Sequence, residues 1–141
     1  MSRRQAREIA LQALYQLDFN PIDATADLDE ACDKVIEAAL EVTGTLRTRD
    51  TEFVQYLVTG TMANLSAIDE MIAEFSKDWK VSRMASIDRN ITRMAIFELQ
   101  FPEEKVTPSI VISEAVELAK KFGTDESSKF VNGILGAIVR K

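Results

Sequence analysis

The chain has no histidine, which removes Ser-His-Asp and Cys-His catalysis, imidazole metal ligands and the side chain that usually moves protons near neutral pH. Its one cysteine, Cys32, can form neither an internal disulfide nor a thiolate zinc site. The five glycines fall in no phosphate-loop pattern, and the three prolines, Pro21, Pro102 and Pro108, stand where helices break rather than inside them. There is no long apolar run and no signal-like start, so the expectation is a reduced, cytoplasmic protein with no membrane association. Paired carboxylates are plentiful, yet they sit at solvated helical spacings without a metal motif. The residues therefore point to a binding protein with no catalytic residue, no metal and no cofactor.

What is present is charge, unevenly placed. Residues Met1 to Leu17 carry three basic side chains and one acidic, Asp18 to Asp88 six and fifteen, and Arg89 to Lys141 eight and seven; the net charge is −6. An acidic middle between weakly basic ends suggests one surface for phosphate and another for a basic protein, although solubility alone would also account for the acids. The 141 residues are expected to form a single domain, 1–141, that needs no staple.

Helical periodicity runs through nearly the whole chain, and no strand alternation competes with it. About seven helices are predicted, forming a compact all-α bundle. The first starts at Ser2 with Gln5 completing a capping box, buries Ala6, Ile9, Ala10, Ala13, Leu14 and Leu17, and stops near Asp18. The second follows Asp27-Leu28-Asp29, holds Cys32 in the core and ends at a Gly44 cap. The third spans about Asp50 to Asn64 with Phe53, Val54, Leu57 and Met62 as apolar anchors. Ser66 is expected to cap the fourth, which leads into a Lys77-Asp78-Trp79-Lys80 connection. The fifth, Ser86 to Gln100, should be the most buried. Thr107 and Pro108 open the sixth, Phe122-Gly123 closes it, and the seventh starts near Asp125 with Gly133 and Gly136 allowing close packing.

Two places carry chemistry. Arg3, Arg4 and Arg7 occupy the start of the first helix, where the exposed N–H groups favour acids, so three cations there cost stability unless an anion meets them. Arg4 and Tyr15, eleven residues apart, nearly share an azimuth about 16 Å apart along the axis. Guanidinium groups leading to an aromatic ring suit single-stranded RNA, while a solvated helix end with Tyr15 at the core rim is an equal alternative from this helix alone. The second place is Lys120-Lys121-Phe122-Gly123 with Ser127 to Gly133. There Lys129 and Asn132 sit near a helix N-terminus whose dipole favours anions, and Phe130 reads more as core than as stacking platform.

The segments SRRQAREIALQALYQLD (Ser2 to Asp18), DRNITRMAIFEL (Asp88 to Leu99) and VISEAVELAKKFGTDESSKFVNGIL (Val111 to Leu135) together resemble the NusB family of bacterial transcription antitermination factors. The resemblance implies two perpendicular three-helix subdomains. It also implies binding of boxA-like single-stranded RNA in ribosomal RNA leader transcripts together with NusE, a small-subunit ribosomal protein, within the RNA polymerase antitermination complex. Carried onto this chain, the RNA-binding residues are Arg3, Arg4, Arg7, Tyr15, Lys121, Lys129, Phe130 and Asn132, and the partner-binding residues are Asp78 and Asp88. Gln5 stands where some members have a further arginine, and Ser113 where the family often has Asn. A homodimer is possible, and one made through the first helix would hide the RNA face.

Two alternatives are a protein–protein adaptor and a stand-alone relative of the RNA-binding domain of ribosomal RNA cytosine methyltransferases. Against an enzyme of that kind, the chain to Lys141 leaves no room for a cofactor-binding domain.

Overall fold

The computed structural model describes residues 2–23, 25–43, 48–76, 84–102 and 106–140. Among the described residues there are seven α-helices and no strand, as the periodicity predicts: α1 (Ser2–Phe19), α2 (Leu28–Thr43), α3 (Thr48–Ala63), α4 (Leu65–Ser76), α5 (Ser86–Gln100), α6 (Pro108–Phe122) and α7 (Asp125–Arg140). They form two compact units, Met1–Ala63 and Asn64–Lys141, with three helices in the first and four in the second.

In the first unit α1, α2 and α3 all pack on one another. The predicted α1 stripe is buried throughout, joined by Leu11, and meets a core that includes Cys32, Ile36 and Ala39 of α2 and Val54, Leu57 and Val58 of α3. Burial pushes the Cys32 thiol above its ordinary range, so it behaves as a small core residue rather than a nucleophile. After α1 the chain turns on Asp23, whose carboxylate accepts from the backbone N–H and the hydroxyl of Thr25, both at 2.8 Å, and is held below the usual carboxylate range by them. Asp27 then caps α2, its Oδ1 accepting from Glu30 N–H at 3.1 Å. The Ser2 capping box, the Gly44 cap and the connection at 77–80 rest on groups outside the described residues.

In the second unit α5 packs against α4, α6 and α7. It is buried without interruption from Asn90 to Glu98, which matches its expected place as the most enclosed helix. The polar members of that run have partners. Asn90 Nδ2 donates to Ser86 O at 2.9 Å and Thr92 Oγ1 to Asp88 O at 2.7 Å, while Arg93 reaches α4 in a two-pronged pair with Asp69, both contacts 2.8 Å.

Two details depart from expectation. Ser66 is not the cap of α4: the helix starts at Leu65, directly after Asn64, and the Asn64 carbonyl accepts from Ile68 N–H at 3.0 Å, so a single residue both breaks α3 and opens α4. Among the described residues Gly133 and Gly136 do not serve close packing, since a Cβ on Gly133 would meet none of them within 4 Å and one on Gly136 would meet only the Arg140 side chain.

Candidate nucleic-acid interface

The first turn of α1 contains no acidic residue. Arg3 and Arg4 are exposed, and Arg7 is half-buried. Phe53 of α3 lies beneath this end: the guanidinium carbon of Arg3 is 3.9 Å from the ring centroid and that of Arg7 5.2 Å, and the ring stacks on Tyr56 at 6.1 Å. Spacing along α3 marks Phe53 only as an apolar anchor. Its second role depends on α1 packing against α3, which nothing local to residue 53 signals. Tyr15, 38% exposed, presents its ring at the surface further along α1.

The other predicted element belongs to the second unit, where α6 and α7 form a tightly joined pair. Gly123 ends α6, donating to Ala119 O at 2.9 Å, and Thr124 opens α7. Ser127, almost fully buried, closes the turn: its hydroxyl accepts from Thr124 N–H at 2.9 Å. This junction requires glycine for space rather than for handedness. A Cβ on Gly123 would press on Ser127 Oγ and lie 2.6 Å from Ser127 Cβ and 2.8 Å from the Ala119 carbonyl. Gly123→Ala is therefore expected to lower stability by about 2 kcal/mol through overpacking. A shifted urea midpoint with an unchanged slope is the expected readout.

Around this turn Lys121 is exposed with its Nζ 5.4 Å from the Phe122 centroid, Lys129 and Asn132 are exposed, and Phe130 is half-buried. Val131, Ile134 and Leu135 are core. At the start of α7 the Thr124 N–H is bound to the Ser127 hydroxyl, and the first turn carries Asp125 and Glu126, whose carboxylates oppose an anion at the positive end of the helix dipole. Lys121, Lys129 and Asn132 offer exposed side-chain donors beside it.

Lys129 Nζ lies 3.8 Å from Glu126 Oε1, with both side chains more than three-quarters exposed. A solvated pair of this kind contributes little to folding, while the carboxylate repels an approaching phosphate. Glu126→Gln is expected to tighten RNA binding about two-fold at 0.1 M salt, with stability unchanged. A weaker complex in the same titration would mean that Glu126 orients Lys129.

Arg3 and Arg7 are thus brought together on Phe53 in the first unit, whereas Lys121, Lys129, Phe130 and Asn132 gather at the α6–α7 turn of the second. Of the partner residues, Asp78 lies outside the described residues. Asp88 stands in the first turn of α5, half-buried, with its Oδ1 enclosed and without a hydrogen-bond partner among the described residues. Among the described residues no cluster of His, Cys, Asp or Glu could hold a metal, and no helix is long and apolar enough to cross a membrane.

The NusB family model matches residues 4–140. The chain is 49% identical to the transcription antitermination protein NusB of Pelotomaculum thermopropionicum, an alignment that covers 99% of this chain and 90% of that protein. NusB of T. maritima has a solved structure that matches at a TM-score of 0.83 and 34% identity, covering 99% of this chain and 91% of that one. A chain in a crystal structure of the antitermination factors NusB and NusE in complex with dsRNA matches at a TM-score of 0.84 and 26% identity, covering 99% and 96%. The family model reaches into both units, and the chain belongs to the NusB family.

Proposed function

We propose that this chain is a cytoplasmic transcription antitermination factor. It binds boxA-type single-stranded RNA of ribosomal RNA leader transcripts together with NusE and helps RNA polymerase read through terminators. The role is binding, not catalysis. The observation that carries it is the cationic start of α1: on a chain of net charge −6, arginines occupy a helix end with no acid in its first turn, and two of them lie on an aromatic ring. Phosphate suits this cationic helix end, and the exposed Tyr15 ring offers a stacking face for an unpaired base. A glycine inside a helix costs about 1 kcal/mol relative to alanine. At Gly133 no packing among the described residues explains that cost, and the space beside Asn132 would admit a nucleotide backbone.

The RNA residues are Arg3, Arg4, Arg7, Tyr15, Lys121, Lys129, Phe130 and Asn132, within one NusB-like RNA-binding domain, 1–141. Asp88 and Asp78 are the residues that bind the basic partner. Because one Asp88 oxygen is enclosed, lysine at this position would bury an ammonium, so the neutral isostere is the cleaner probe. Asp88→Asn is expected to weaken NusE binding about five-fold while leaving RNA binding by the chain alone intact. Isothermal titration with NusE measures the first effect, and unchanged affinity would remove Asp88 from the interface.

The function itself is tested by transcription in vitro from a template with a boxA leader upstream of a terminator. Read-through should rise when this chain and NusE are added together, and only with boxA present. Equal read-through on a boxA-deleted template would overturn the proposal.

A further inference from the structure

What holds an arginine decides what it can still do. A carboxylate consumes the in-plane N–H donors and cancels the charge, whereas an aromatic face binds the guanidinium through its flat surface and leaves the charge and the edge donors available. Arg3 is held in the second way. Its guanidinium carbon lies 3.9 Å from the Phe53 centroid, the side chain is exposed, and among the described residues no carboxylate pairs with it. Arg7 approaches the same ring at 5.2 Å, and Tyr56 backs the ring with its plane tilted by 26°. The chain from Asp18 to Asp88 holds fifteen acidic residues, so a long cationic side chain left unplaced would have many carboxylates to find.

We infer that Phe53 is a positioning residue of the RNA site: its ring holds the Arg3 guanidinium in place at the start of α1 without cancelling its charge, so that phosphate meets an ordered cation. Phe53 itself, half-buried beneath it, does not touch the RNA. This rests on the proposed binding of RNA by α1. The benefit is entropic and local, since the rotamer freedom of Arg3 is spent on folding rather than on binding.

The test is a double-mutant cycle on the full chain with NusE, titrated with a boxA RNA oligonucleotide. Phe53→Leu keeps apolar bulk but removes the ring face, and Phe53→Met serves as a second ring-less variant. Each is expected to weaken binding about five-fold. Losing one phosphate contact should also make the salt slope shallower by about 0.7. Phe53→Tyr keeps the ring and should restore wild-type affinity and slope. With Arg3 and Arg7 both replaced by Gln, Phe53→Leu should have almost no further effect. An equal loss with and without those arginines overturns the inference, because the ring would then be touching RNA or only supporting the fold. Undiminished affinity in both ring-less variants, while the arginine replacements still weaken binding, overturns it as well but leaves the RNA-binding proposal standing. Failure of the arginine replacements to weaken binding sinks both.

Discussion

Asp69→Ala is expected to destabilise the protein by about 3 kcal/mol, the largest effect of any single substitution considered. Arg93 is 8% exposed, and two of its nitrogens meet the two Asp69 oxygens at 2.8 Å, one pair through Nε and the other through Nη2. Removing the carboxylate takes from a buried guanidinium its two-pronged charged partner, leaving neighbours such as the Asn90 side-chain oxygen at 3.3 Å. Loss of one partner from a buried pair costs about 3–5 kcal/mol, and the lower end applies because Asp69 is 28% exposed and water can enter in its place. At this chain length the melting temperature should fall by about 10 °C. Replacing both members, Asp69→Leu with Arg93→Met, should recover most of the loss, since the penalty comes from the orphaned charge rather than from the absence of the pair. If the double variant is as unstable as Asp69→Ala, the pair is doing something other than neutralising Arg93.

Replacing Arg3, Arg4 and Arg7 together by Gln should reduce RNA affinity about 100-fold at 0.1 M salt. Three phosphates neutralised on a single strand correspond to a slope of about −2 in log affinity against log salt, and at 0.1 M a slope of that size represents about two decades. The slope itself should become shallower by about 2. Folding should respond quite differently. Removing cations from a helix N-terminus gains about 0.3–1 kcal/mol each. Losing the guanidinium contacts with Phe53 costs about 0.5–1 kcal/mol apiece, so the net change should stay within about 1 kcal/mol. Lost binding with stability retained separates a charged contact surface from a structural helix end. Parallel loss of both would show that the arginines hold α1 in place.

The helices were legible because each buries an apolar face at a period of 3.6, and the breaks coincide with residues that cannot continue a helix: Pro21 after α1, the Thr107-Pro108 start of α6 and Gly123 at its end. The α4 start was misplaced because Ser66 is the stronger capping residue by type, while the absence of any linker gave the position to Asn64. Contacts across helices left no local trace. Phe53 lies 50 positions from Arg3, and Asp69 lies 24 from Arg93, so their pairings emerge only once the helices are packed. The α6–α7 turn was legible as a chemical cluster, yet the Ser127 hydroxyl bond that occupies the helix start was not, because serine three positions into a helix is a less familiar capping partner than Glu or Gln.

An acidic chain that meets RNA through a few cations and an exposed ring should bind weakly alone and more tightly when a basic partner adds contacts and covers the acids. The most direct test is a filter-binding titration at 0.1 M salt of boxA RNA and a scrambled oligonucleotide, each with and without NusE. Weak binding by the chain alone is expected, with a marked, boxA-selective gain when NusE is present. Equal affinity for the scrambled RNA in the presence of NusE, or nanomolar binding that does not need NusE, would contradict it.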